Sequence, residues 1–255
     1  MPDSTTVLAI QSDPTDPPGL VGEWLAEVGI AVTVVHAHAG EPVPSTVPDG
    51  IHGLLPLGGA MAAWEDEVAP WLPDTRALLA DAVDRGVPVL GLCLGGQLLA
   101  GATGGRLGVA PVAEVGVVTV GPTADAAADE VFARVPGSGD PATRLPAAQW
   151  HGDAILDLPD GAVLLATNEA CPVQAFRVGD SAWGLQFHPE VDGAIIGSWV
   201  GDDDGPLLRA GRVGVDIGAE VDDALAGLVR AWRPLTHAWA DVVRRYAAGR
   251  EARPA

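Results

Sequence analysis

The apolar positions of the first 105 residues fall into short unbroken runs separated by amphipathic stretches. "TTVLAIQS" (5–12) reads as a buried strand, "IAVTVVHA" (30–37) as a β-branched second, and "IHGLLPLGG" (51–59) as a third ending in paired glycines. Between them, "PPGLVGEWLAEVG" (17–29) and "PDTRALLADAVDRG" (73–86) carry helical periodicity, with proline at the start and glycine at the end. A fourth run, "VPVLG" from residue 87, passes through Cys93 into the helix-forming "GGQLLA". Strands alternating with helices predict an α/β fold around a mainly parallel sheet.

The pattern changes after Gly105. "EVGVVTVG", "TRLPAAQW", "AVLLAT", "VQAFRVG" and "SAWGLQF" are closely spaced strand-like segments, with "VGDS" as a hairpin turn, so this half adds antiparallel strands. From Ala194 the period is helical, with "EVDDALAGLVRAW" and "PLTHAWADVVRRYAAG" as two amphipathic segments expected to pack on the same domain. No internal repeat or interdomain linker stands out, and the tail "GREARPA" (249–255) is expected to be disordered.

Composition narrows the function classes. The 255 residues are 48% hydrophobic and 19% charged, a globular balance long enough to bury a sizeable core. Net charge is −20, and every basic residue is Arg. Such a field repels a phosphate backbone and an anionic lipid surface, so neither nucleic acid nor membrane is an expected partner. Two cysteines make no disulfide framework, and no Cys/His cluster suggests a metal. The N-terminus lacks a basic segment followed by an apolar one, and the apolar stretch 87–122 is interrupted too often to span a bilayer. A soluble cytoplasmic protein is the expectation.

Cys93 is the candidate nucleophile. A nucleophile on a sharp strand-to-helix turn needs small residues two positions before and after it, and Gly91 and Gly95 stand there. A thiolate at a helix N-terminus is also favoured by the dipole and free N–H groups. Its base is sought downstream in "WGLQFHPEV" (183–191), where His188 and Glu190 lie one residue apart at a strand end. There Glu190 can hold the imidazole's tautomer and orientation. Acyl transfer further needs oxyanion donors: the N–H of Leu94, next to the nucleophile, and that of Gly59 in "LPLGGAM" (55–61) fit.

The ordered set "LGGAM", "GLCLGGQLLA", "QWHGD" and "GLQFHPEV" resembles the class I (triad) glutamine amidotransferases, most closely free-standing ones similar to the amidotransferase domain of GMP synthetase. The resemblance runs from about residue 5 to 195. It implies a flavodoxin-like three-layer α/β/α sandwich over residues 1–192, with residues 193–255 as a C-terminal helical extension. It also implies Cys93, His188 and Glu190 as the triad, Gly59 and Leu94 as the oxyanion hole, and Gly58 and Gln97 beside bound glutamine. Trp150 is expected to wall the pocket, while His151 either lines it or is structural. Trp64, Glu65 and Asp66 either meet the substrate's amino group or cap the next helix. Cys171 is read as a core residue. Many similar proteins have proline where this chain has Ala60, which leaves the oxyanion loop less rigid.

The implied activity is hydrolysis of the glutamine side-chain amide through a cysteinyl thioester, with no metal or organic cofactor. Ammonia would pass to a separate acceptor or synthetase enzyme, since the chain has no P-loop lysine. The alternatives are a γ-glutamyl peptidase or hydrolase acting on a larger γ-glutamyl compound, and a catalytically silent regulatory subunit.

Overall fold

A computed structural model of the chain describes residues 5–251. Its centre is a nine-stranded sheet, built from β1 (Thr6–Gln11), β2 (Ala31–His36), β3 (Gly53–Pro56), β4 (Val89–Leu92), β5 (Arg106–Pro122), β6 (Leu145–Asp157), β7 (Val163–Thr167), β8 (Ala175–Val178) and β9 (Ala182–Leu185). The spatial order is β2-β1-β3-β4-β9-β8-β7-β5-β6. The first five strands in that order pair in parallel and the remainder antiparallel. The fold is flavodoxin-like α/β, as expected, with the later strands extending one side of the sheet.

The unbroken apolar runs follow from burial on both faces. Side chains alternate across a strand, so Val7 and Ala9 of β1 join one core and Leu8 and Ile10 the other. Leu90 and Leu92 likewise part from Val89. The first core also contains Trp24 and Leu25 of α1 (Gly19–Glu27); the second contains Leu78 and Leu79 of α2 (Leu72–Asp84) and Leu98 and Leu99 of α3 (Leu94–Ala102). Helices therefore cover both faces.

Three features differ from the sequence reading. β5 and β6 are longer than expected and form an antiparallel ribbon with a bulge between Val109 and Glu114. That bulge accommodates Pro111, which cannot donate to a ladder. After two short helices, α4 (Gly193–Ser198) and α5 (Asp204–Arg209), the two amphipathic segments prove to be one helix, α6 (Ile217–Glu251), with Pro234 inside it. Burial on both sides of the proline explains the continuity: Ala231, Trp232, Leu235 and Trp239 all enter the first core. Trp232 is also anchored through Nε1 to the Pro146 carbonyl, at 2.8 Å. Third, residues 249–251 of the tail expected to be disordered are helical, and 252–255 lie outside the described residues. None of the described helices is long and apolar enough to cross a membrane.

Candidate active site

The site lies at the carboxyl ends of the parallel strands, where β4 and β9 are neighbours. Cys93 follows β4 with φ 46° and ψ −106°, and is the only non-glycine with positive φ among the described residues. Such a backbone is costly for an L-residue and persists only where its surroundings force it. Here the neighbours do so by close approach. A Cβ on Gly91 would stand 2.6 Å from the Gly95 carbonyl oxygen, and one on Gly95 only 2.0 Å from that of Pro56. The spacing read from the sequence is therefore a steric requirement. Leu94 opens α3, where the first N–H groups lack intrahelical acceptors.

Beyond β9 the chain brings His188 to a cavity beside Cys93, with Glu190 next to it, the two being 3% and 1% exposed. His188 Nδ1 pairs with Glu190 Oε1 at 2.7 Å. The backbone is pinned on both sides of Pro189, because His188 N–H donates to the Ala148 carbonyl and Leu20 N–H to that of Glu190. Burial opposes a charge on the imidazole most strongly, but the nearby Cys93 and Glu190 outweigh it and hold the His188 pKa well above the ordinary value. The ring packs against Trp199, with centroids 4.8 Å apart, and Trp199 meets Trp150 edge-on at 5.8 Å.

Two cavities open on Cys93. The larger, about 240 Å³, is lined by Gly59, Leu94, Gln97, Trp150, His151 and, across from them, Arg209 of α5. A smaller one of about 30 Å³ borders Gly59, Cys93, His188, Trp199 and the carboxyls of Asp13, Asp16, Asp202 and Asp203. Gly58 lies behind His188, where a Cβ would come within 3.2 Å of the His188 ring. Gln97 donates to Gln186 Oε1 at 3.2 Å, and Gln186 in turn reaches the Cys93 sulfur at 3.5 Å. Both nitrogens of His151 are engaged, by the Asp153 carbonyl and by Glu114. Glu65 accepts from the Ala62 N–H and borders the larger cavity, whereas Asp66 pairs with Arg76 at 2.7 Å. Trp64 is 46% exposed. Cys171 is buried; burial and then Glu114 push its thiol up to about 12.

Three neighbours of the site were not found from the sequence: Gln186, Trp199 and Asp16. Asp16, in the loop between β1 and α1, is 6% exposed. Burial pushes its carboxyl up to about 7; His188 opposes the rise, while Glu190, Asp13 and Asp203 add to it. Oxygen and nitrogen atoms of Asp16, His188 and Glu190 come within 4.8 Å of one another, as do atoms of Glu114, His151 and Cys171. In the second group Glu114 and His151 already bond each other, Asn168 and Gln174, and the thiol is held neutral. That leaves it poorly suited to a cation. In the first, His188 Nδ1 and Glu190 Oε1 bond each other, while His188 Nε2 and Glu190 Oε2 have no hydrogen-bond partner among the described residues.

A flavodoxin-like sheet that carries a strained cysteine elbow beside a buried histidine–carboxylate pair is the arrangement of a cysteine-nucleophile enzyme. The chain belongs to the family described as glutamine amidotransferase class-I, whose model matches residues 21–198. That family is one of enzymes. A GMP synthase (glutamine-hydrolysing) from Thermomicrobium roseum is 37% identical over 148 residues, which is 57% of this chain but only 24% of that relative. A GMP synthase (glutamine-hydrolysing) subunit from Pyrococcus abyssi is 31% identical over 154 residues, covering 58% of this chain and 74% of that one. The crystal structure of a glutamine amidotransferase from Thermotoga maritima superposes with a TM-score of 0.79 at 26% identity, covering 93% of this chain and 99% of the other.

Proposed function

We propose that the protein hydrolyses the side-chain amide of glutamine and delivers ammonia to a separate acceptor enzyme. The observation that carries this reading is the convergence of the Cys93 elbow and the 2.7 Å His188–Glu190 pair on one pocket. In the proposed reaction the Cys93 thiol gives its proton to His188 and its sulfur attacks the amide carbon, while the N–H groups of Gly59 and Leu94 receive the oxyanion. With Nδ1 held by Glu190, Nε2 is the nitrogen left to move protons. It protonates the departing nitrogen, and ammonia leaves behind a γ-glutamyl thioester. His188 then takes a proton from water, whose oxygen attacks the thioester carbon. Collapse releases glutamate and restores the thiol.

Gly58, Gln97, Trp150 and His151 are proposed as the substrate wall, the last through its backbone, since its ring is internally bonded. Residues 1–192 are proposed as the amidotransferase domain and 193–255 as a helical extension on it, a reading supported by contacts of α6 with α1 and β6. A separate acceptor is supported by the likeness to relatives that are named as one subunit of a GMP synthase. The test is glutamate release from glutamine against release from γ-glutamyl peptides, with and without a candidate synthetase. Preference for the peptides moves the protein to γ-glutamyl hydrolysis. Loss of all release with both substrates and every partner leaves the silent regulatory role.

A further inference from the structure

The proposed triad ends on an unfinished carboxylate. Glu190 gives Oε1 to His188, but its Oε2 is buried without a hydrogen-bond partner among the described residues. A buried acceptor left bare is costly, so the atom facing it matters. A further titratable side chain, Asp16, has its carboxyl within 4.8 Å of the ligating atoms of both His188 and Glu190. It reaches them because Gly58 has no side chain: a Cβ there would stand 2.6 Å from Asp16 Oδ1. Two carboxyl groups this close and this buried cannot both ionise cheaply, and a shared proton resolves the conflict.

We propose that Asp16 is a positioning residue, its neutral carboxyl supplying the missing donor to Glu190 and so keeping a second negative charge away from the His188–Glu190 pair. The inference rests on the triad reading given under the proposed function. Charged and titratable groups face Asp16 from every side: Asp13 from its own loop, His188 and Glu190 from the segment after β9, Asp202 and Asp203 from the segment before α5, and Cys93 across the small cavity. Only His188 favours the ionised form, and a carboxyl pushed up to about 7 by burial is neutral in mildly acidic solution. As pH rises through that value Asp16 loses the proton it donates, and the added charge repels Glu190.

The test uses the full chain and two readouts, the pH dependence of Cys93 alkylation by iodoacetamide and that of glutamine turnover. In the unaltered protein both should show a step with its midpoint near 7. Asp16→Asn, which can donate but not ionise, should remove the step and keep kcat within about threefold. Asp16→Ala should remove the step and lower kcat about tenfold with KM little changed, since the loss lies in orientation and not in binding. Glu190→Gln, a second variant, should move the alkylation step to lower pH by removing the like charge beside Asp16. An unchanged step in Asp16→Asn, or full activity with an unchanged profile in Asp16→Ala, overturns the assignment. Alkylation needs no glutamine, so the two ideas fail separately. A step lost in Asp16→Asn in a protein inert toward glutamine removes only the proposed substrate, and a step retained in an active glutaminase removes only the role of Asp16.

Discussion

His188 and Glu190 bracket a proline and meet through a 2.7 Å contact with both side chains buried. Glu190→Gln should therefore keep the geometry while removing one of the two charges that sustain the imidazolium. The His188 pKa, read from the histidine proton resonances, should fall toward the ordinary 6.5. Because it is raised in the fold, the stability it contributes is complete below the ordinary value and lost as pH climbs through the raised one. The variant should lose that pH-dependent stability, and its kcat should drop about 10²-fold, less than the loss of about 10³-fold or more expected of His188→Ala. An unchanged kcat in Glu190→Gln would make Glu190 structural.

The two thiols should separate cleanly. Cys171 is buried with its thiol pushed up to about 12, and donates to the Val173 carbonyl at 3.5 Å. A glutamine analogue bearing an electrophile should label Cys93 and spare Cys171, as peptide mass mapping would show. Cys93→Ser should retain the fold by circular dichroism and lose at least about 10³-fold in turnover, since an alcohol is a far weaker nucleophile at this pH. Labelling at Cys171 alone would refute the elbow.

Gly95→Ala tests the elbow without touching a reacting atom. The new methyl meets Pro56 backbone, which cannot rotate away. A destabilisation of about 3 kcal/mol is expected from overpacking of this kind, seen as a lower denaturant midpoint. Stability equal to that of the unaltered protein would mean that the turn relaxes freely.

Pro234→Ala should act in the other direction. The substitution restores an N–H for the Arg230 carbonyl inside α6, where proline costs up to about 3 kcal/mol. Thermal unfolding should move upward by several degrees while glutamine turnover stays unchanged. A fall in Tm would show that the packing of α6 depends on its proline.

Much of this architecture was legible because local rules and global burial agree. The apolar runs of β1, β3 and β4 have no polar face, as strands covered by helices on both sides require. Gly91 and Gly95 were legible because the elbow's steric demand acts over two residues. The two amphipathic segments on either side of Pro234 were read separately because propensity is local, while the burial of Trp232, Leu235 and Trp239 that joins them is tertiary. Asp16 was invisible for a related reason. In "SDPTDPPG" it resembles any turn-forming aspartate, and only the absence of a side chain at Gly58, 42 positions later, draws it toward His188. Gln186 and Trp199 gain their roles through contacts with Cys93 and His188 that no short sequence window contains.

The adjacency of β4 and β9 also sets an order of events. Leu92 pairs with Leu185, yet the 92 residues between them include α3 and the whole antiparallel excursion β5 to β8. Pairings that close so long a loop come late in folding, because chain entropy is lost before contacts repay it. A chain in which only β1 to β4 have paired lacks the Leu185 carbonyl that receives the Cys93 N–H, and lacks His188 and Glu190 with it. The proposed nucleophile and its proposed base therefore come within reach of each other only when β9 pairs with β4.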